Sequence, residues 1–179
     1  SEINGVHASL YAEPGAMVSY LDGLLLTQVW WANHFSLVSM FRRFLDSVPP
    51  KVRYLEIGVG HGLYFTEVSA RRSDIQATGL DISATALAYT QALWRFRLGE
   101  RPLAAMVHAD VRRMTLQEIG RFDAISVAEV IEHVPDPETV LAKVEELLAP
   151  DGVVYLTTAI NAAAIDHVYL FEDVDEARA

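Results

Sequence analysis

The sequence has no cysteine, which excludes a disulfide framework, a thiolate metal site and a cysteine nucleophile. Lysine is nearly missing: Lys51 and Lys143 stand alone, and the remaining basic residues are arginines. Positive charge as a whole is scarce, with 14 basic residues against 24 acidic ones and a formal net charge of −10. Such a surface repels polyanions. The pairs Arg42-Arg43, Arg71-Arg72 and Arg112-Arg113 are scattered along the chain instead of clustered, so nucleic acid is a poor partner. Long unbroken apolar runs are also lacking. The stretch from Tyr20 to Phe41 comes nearest, but it carries Asp22, Gln28, Asn33 and His34, which are costly in lipid. It reads as amphipathic helix and not as a membrane span. No basic, apolar leader opens the sequence, so a cytoplasmic location is expected.

What is present fits one globular domain: 179 residues, 51% hydrophobic and 21% charged. From residue 51 onward, apolar runs alternate with helical patterns. Strands are expected at Lys51–Ile57, Ile75–Leu80, Leu103–His108, Phe122–Ala128 and Val153–Thr158. Helices are expected at Leu63–Arg72, Ala84–Leu98, Leu116–Ile119 and Pro137–Leu148. This alternation implies an α/β, doubly wound, mostly parallel sheet with right-handed crossovers. Residues 1–50 show no strand alternation. Leu24, Leu25, Val29, Phe35, Val38, Phe41 and Leu45 make a broad apolar helical face ending at Pro49-Pro50. We read residues 1–50 as a helical lid and 51–179 as the core.

The first strand breaks into Gly58-Val-Gly60-His-Gly62, with Glu56 just before it. Glycine allows a tight turn and removes the Cβ atoms that would hold a ligand away. About 20 residues on, the second strand runs into Asp81, a carboxylate placed for two ribose hydroxyls. Together these point to a nucleoside-bearing cofactor. Asp110 and Glu129 also fall at strand ends, where open α/β sheets bind ligands.

At these residues, from about Val52 to Thr158, the chain resembles the class I S-adenosylmethionine-dependent methyltransferases, a Rossmann-like fold. The resemblance implies that Glu56-x-Gly58-x-Gly60-x-Gly62 faces the methionine part of S-adenosylmethionine. It also implies that Asp81 binds the ribose, Ile82 packs beside the adenine, and Asp110 with Val111 meets the adenine amino group. Phe122–Pro137 resembles the family's fourth-strand motif, with Glu129 at the pocket, and Leu147-Leu-Ala-Pro150-Asp-Gly152 its turn before the fifth strand. A hydride-transfer enzyme prefers Gly-x-Gly-x-x-Gly, which aims a helix start at a pyrophosphate. Here the third glycine comes one residue sooner and an acid precedes the loop, which suits the ammonium of adenosylmethionine better. The family's sheet has seven strands, the last two an antiparallel hairpin. This sequence stops before that hairpin, so a further segment or a partner is expected to complete the sheet edge.

On the acceptor side the sharpest pattern is Glu129-x-x-Glu132-His133. A helical turn starting at Glu129 would put these three on one face. With Asp166-His167-Val-Tyr169 after the fifth strand, they resemble the divalent-metal site of ubiquinone-type O-methyltransferases and small-RNA 2′-O-methyltransferases. His133 and His167 are then the candidate catalytic residues, and Glu129, Glu132, His133 and His167 the candidate ligands of a Mg, Mn or Zn ion. In the other reading Glu129 lines the cofactor pocket while Glu132 and His133 brace the loop. His34, between aromatic neighbours in the lid, faces the acceptor or is an ordinary interfacial side chain; His61 is given no role. The expected activity is methyl transfer to a small, hydrophobic or aromatic acceptor, at a hydroxyl oxygen. The alternatives are metal-dependent RNA 2′-O-methylation and a noncatalytic cofactor-binding scaffold.

Overall fold

The structure is a computed structural model that describes residues 13–164 and 166–178. Helix α1 (Pro14–Trp30) opens on proline, whose missing N–H is no loss in a first turn. Trp31 is extended, and α2 (Ala32–Ser47) follows it. The alternating part then runs β1 (Arg53–Ile57), α3 (Leu63–Arg71), β2 (Gln76–Asp81), α4 (Ala84–Leu98), β3 (Ala105–His108), α5 (Leu116–Ile119), β4 (Phe122–Ala128), α6 (Pro137–Leu147) and β5 (Leu148–Thr157). Short 3₁₀ turns lie at Val111–Arg113, Ile131–His133 and Glu176–Arg178. No helix among the described residues is long and apolar enough to cross a membrane.

The five strands among the described residues are all parallel, in the order β3-β2-β1-β4-β5. This is the doubly wound α/β sheet expected from the alternation. The chain lays β2 and β3 on one side of β1, then returns to place β4 on the other, so the order reverses between β1 and β4. In open α/β sheets such a reversal leaves a crevice at the carboxyl ends of the two strands.

Both faces of the sheet are covered. On one, Tyr54, Ala124 and Tyr155 pack with Val38, Phe41 and Leu45 of α2 and with Phe65, Val68 and Trp94. On the other, Leu55, Ile57, Ile125 and Val127 pack with Val140, Val144 and Leu147 of α6. Burial on both sides is why β1 and β4 read as nearly continuous apolar runs. β5 is an edge strand, and its Val153, Val154 and Leu156 are about two-fifths exposed.

Details depart from the sequence reading: β1 starts at Arg53 and β3 at Ala105, each two residues later than expected. β2 starts one residue later than expected, at Gln76, and ends on Asp81, which takes its direction from the sheet. β5 starts at Leu148, and its pairing jumps from Phe122↔Leu148 to Ala124↔Val153. The turn at Pro150-Asp151-Gly152, with Asp151 at φ 64°, is pushed out of the ladder as an irregularity. Residues 1–12 of the expected lid lie outside the described residues, and the apolar face of 13–50 is narrower than expected: Val38, Phe41 and Leu45 are buried, whereas Val29 and Phe35 are exposed. The extended Trp31 breaks the helical phase, so α1 and α2 turn different faces inward.

Glu67 of α3 pins these helices together. Arg42 of α2 donates through Nε and Nη2 to its two oxygens at 3.0 and 3.2 Å, and Arg97 of α4 donates from Nη2 at 2.6 Å. Burial pushes the Glu67 carboxyl up, but the two arginines outweigh it and hold it below the usual range. A depressed folded value means its stabilisation is present above the ordinary carboxylate range and is lost as pH falls through the folded value. Glu67→Ala should cost about 2 kcal/mol in urea unfolding at pH 7, at the lower side for a broken ion pair because both arginines keep access to water. The variant's stability should also fall less on acidification than that of the wild type.

Candidate active site

The glycine loop leaves β1 at the crevice. Gly62 has φ 76° and caps α3 by accepting Thr66 N–H at 3.0 Å. A Cβ there would lie 2.7 Å from Thr90 Oγ1 and 3.0 Å from its Cα, so α4 leaves no room for one. Gly60, at φ 48°, differs: a Cβ there would meet nothing nearer than Gly58 O at 4.0 Å. Its outer face is open to a ligand.

Asp81 is buried and holds the loop. Oδ2 accepts Gly60 N–H at 3.0 Å and Oδ1 accepts Ser83 N–H at 2.8 Å. Each oxygen keeps a lone pair for a further donor. Burial pushes this carboxyl up, while the two N–H groups draw it back. Next to it Ile82 is exposed, a bare apolar face at the mouth of the crevice. Asp110 is engaged locally: Arg112 donates from Nε to Oδ1 at 2.9 Å and from Nη2 to Oδ2 at 2.7 Å, which holds the carboxyl low. Val111 is buried beside it.

Glu56 lies beneath the loop, fully inside. Tyr54 O–H donates to Glu56 Oε2 at 2.9 Å, and the Tyr54 hydroxyl lies 2.5 Å from Ser126 Oγ. Burial pushes the Glu56 carboxyl to about 8. Sequence reasoning passes over Tyr54 and Ser126. Two signals were present: period two puts Tyr54 on the face of Glu56, and Ser126 is a polar residue in an apolar strand, in register with Glu56. Gly79 is also missed. A Cβ there would stand 2.8 Å from Val59 Cγ1, so this mid-strand glycine lets the loop pack flat on β2.

After β4 the backbone turns sharply. Glu129 sits at φ 53°, with its N–H on Thr157 O at 3.0 Å. The 3₁₀ turn starts only at Ile131, so Glu129 does not begin a helical turn shared with Glu132 and His133. The structure brings together Glu132, His133 and His167, whose ligand atoms lie within 4.8 Å of one another; Glu129 is not part of that group. They meet because the chain after β5 docks on the turn, with Val168 and Tyr169 N–H donating to Glu132 O at 2.8 and 3.0 Å.

This donor set suits a divalent cation. His133 Nδ1 lies 2.9 Å from Asp166 O and His167 Nδ1 lies 2.6 Å from Ala162 O. A carbonyl only accepts, so both Nδ1 atoms carry the proton and both Nε2 lone pairs are free. Glu132 is 1% exposed; its Oε2 accepts from Thr158 Oγ1 at 2.9 Å, and its Oε1 is buried with no partner. Burial raises the Glu132 carboxyl and lowers the His133 imidazole. Burial also raises Glu129, and the Glu132 charge adds to that. His61 is buried in the loop, pushed down to about 4 by that burial, with Nδ1 accepting Leu63 N–H at 3.1 Å.

A parallel sheet with a glycine loop after β1 and an acid closing β2 defines a nucleoside-binding α/β domain of the Rossmann-like class. The sequence profile of the methyltransferase domain matches residues 55–154. The chain therefore belongs to the methyltransferase domain family, in its class I S-adenosylmethionine-dependent branch. It is 33% identical over 106 residues to a ubiquinone biosynthesis O-methyltransferase of Aromatoleum aromaticum, covering 59% of this chain and 43% of that one. It is 27% identical over 150 residues to a protein of that name from Pseudomonas aeruginosa, covering 74% and 59%. The chain thus spans about half the length of these curated relatives. Among solved structures, the fold matches the N-methyltransferase NodS of Bradyrhizobium japonicum bound to S-adenosylhomocysteine, with TM-score 0.57 and 18% identity over 67% of this chain and 59% of that one. It also matches the [4+2]-cyclase SpnF, with TM-score 0.60 and 20% identity over 76% and 54%.

Glu56 gives this site a pH signature. Its folded value of about 8 exceeds its ordinary 4.5, so the folded chain keeps a proton that the unfolded chain has released. Stability therefore falls as pH rises from the ordinary value to the folded one. We expect the ligand-free protein to lose stability across that window through this group, at about 1.4 kcal/mol per pH unit at most, and Glu56→Gln to flatten the loss. Urea midpoints measured through the window check this. An unchanged slope in the variant would contradict it.

Proposed function

We propose that this protein transfers the methyl group of S-adenosylmethionine to a hydroxyl oxygen of a small, apolar or aromatic acceptor. The observation that carries the proposal is that the Asp81-anchored glycine loop follows β1 and the Glu132–His133–His167 group follows β4, the two strands between which the sheet order reverses. In this reading Asp81 takes the ribose hydroxyls on its free lone pairs, and Ile82 lies against the adenine. Asp110 with Val111 borders the adenine amino group. Gly58, Gly60 and Gly62 let the methionine portion approach, with Glu56 below its ammonium. Glu129 closes the pocket on the β4 side.

The transfer is an in-line displacement, so holding the acceptor oxygen behind the methyl carbon supplies much of the rate. Glu132, His133 and His167 would hold a divalent cation, which when bound polarises an acceptor oxygen and favours its ionised form. The name of the ubiquinone biosynthesis relatives supports oxygen as the acceptor atom. Exposed Trp30, Trp31 and Phe35 support an apolar or aromatic acceptor. The net charge of −10 speaks against RNA. The part-exposed Val153, Val154 and Leu156 of β5 support a further segment or a partner along that edge.

Asp81→Ala should weaken S-adenosylhomocysteine binding about 100-fold, the loss of two hydrogen bonds to a charged acceptor at about 1.5 kcal/mol each. Calorimetry checks this, and unchanged affinity would refute the assignment. His167→Ala should lower the Zn or Mn retained after dialysis, measured by elemental analysis, and leave S-adenosylhomocysteine affinity within about twofold. Equal metal in both proteins would remove the cation from the account.

A further inference from the structure

α2 carries His34, Val38, Phe41 and Leu45 at the spacing of one helix face. Val38, Phe41 and Leu45 are buried in the core, and His34 extends the same face by one turn towards the helix start. Where that turn lies can be read from its contacts. The end of α2 is at the amino ends of the strands, since Arg72 Nη1 donates to Leu45 O and Val48 O at 2.6 and 2.9 Å and Val52 O accepts Gln76 N–H at 3.0 Å. Higher up, Tyr155 O–H on β5 donates to Leu37 O at 3.0 Å. Two residues further along β5, Thr157 O accepts Glu129 N–H. One turn back from Leu37 along α2 is His34, level with the carboxyl ends where the crevice opens. Glu129 after β4 and His61 in the glycine loop are the titratable groups near enough to act on its charge.

The imidazole is also oriented. Its Nδ1 lies 2.7 Å from Thr27 Oγ1. Thr27 gives its one hydroxyl hydrogen to Leu24 O at 2.7 Å, so towards His34 its oxygen accepts and Nδ1 donates. The Gln28 amide nitrogen lies 3.1 Å from the same atom, and Gln28 Oε1 is buried without a partner. That amide nitrogen donates to Leu24 O at 3.3 Å, so the shorter Thr27 contact sets the tautomer. Trp31 packs edge-on to the ring at 5.1 Å. Nε2 is left with a free lone pair.

We infer that His34 is a general base for methyl transfer, taking the acceptor's hydroxyl proton on Nε2. The inference rests on the O-methylation reading above. The acceptor oxygen forms the bond to the methyl carbon, the carbon–sulfur bond breaks, and its electron pair stays on sulfur as the neutral thioether. The proton on His34 leaves to solvent. Burial holds the imidazole below its ordinary value, against the pull of Glu129, so it is neutral and ready to accept near pH 7.

The test compares two probes with the full-length protein: catechol, which must lose a proton, and 4-nitrocatechol, which is already ionised at neutral pH. His34→Gln should lower kcat on catechol about 100-fold and on 4-nitrocatechol by less than about threefold, with S-adenosylhomocysteine affinity unchanged. Thr27→Val keeps the imidazole but removes its anchor; it should lose about tenfold on catechol alone, and it decides the matter should His34→Gln not fold. Equal losses on both probes, or none on either, would overturn the base. Wild-type protein that methylates neither probe would count against O-methylation of such acceptors and remove the base with it.

Discussion

Everything at the crevice depends on one carboxylate. Asp81 accepts the Gly60 N–H on one oxygen and the Ser83 N–H on the other, and so ties the glycine loop after β1 to the start of α4. Its bond to Gly60 N–H joins the Gly58 and Val59 N–H bonds to Leu80 O, the Gly62 N–H bond to Val59 O and the Thr90 hydroxyl on Gly60 O in holding three glycines at positive φ. The acid can do this because β2 carries it to the end of the sheet, buried and beside β1. A buried carboxylate with two N–H donors and unused lone pairs is rigid and still able to accept. In the proposed function this rigidity would set where the cofactor's ribose lies, and hence where its sulfonium lies relative to Glu129 and His34.

The second half of the site is assembled by tertiary contact. Glu132 and His133 lie next to each other in a 3₁₀ turn, but His167 joins them only because the chain after β5 hydrogen-bonds back to Glu132 O. α2 is placed just as indirectly, by the Glu67 clamp to Arg42 and Arg97 and by Tyr155 on Leu37. The fold by itself does not choose the reaction: the sheet matches both an N-methyltransferase and a [4+2]-cyclase at similar TM-scores. The chemistry must be argued from the side chains that these contacts bring to the crevice.

Legibility in the sequence followed the range of the interactions. The parallel sheet and most helix bounds were readable because burial on both faces writes apolar runs, and capping and turn residues punctuate them. The glycine loop and Asp81 were readable because backbone geometry demands glycine there and the motif is local. Glu129 was not: a left-handed residue that is not glycine gives no sign in the sequence, so the expected helical turn started two residues too early. The Asp110–Arg112 pair was hidden in plain view, two residues apart. The face of α2 was only partly legible, since the phase break at Trp31 decides which apolar residues go inside. The environment of His34, set by Thr27 and Gln28 across the corner between two helices, needed the fold.

The central claim is that a nucleoside cofactor anchored on Asp81 presents its sulfur to an acceptor space bounded by His34, Glu129 and the Glu132–His133–His167 group. A crystal structure with S-adenosylhomocysteine tests this most directly. The account predicts both ribose hydroxyls on Asp81, adenine against Ile82, and the sulfur turned towards Glu129 and His34. Electron density for the ligand with its ribose away from Asp81, or its sulfur facing away from those residues, would contradict it.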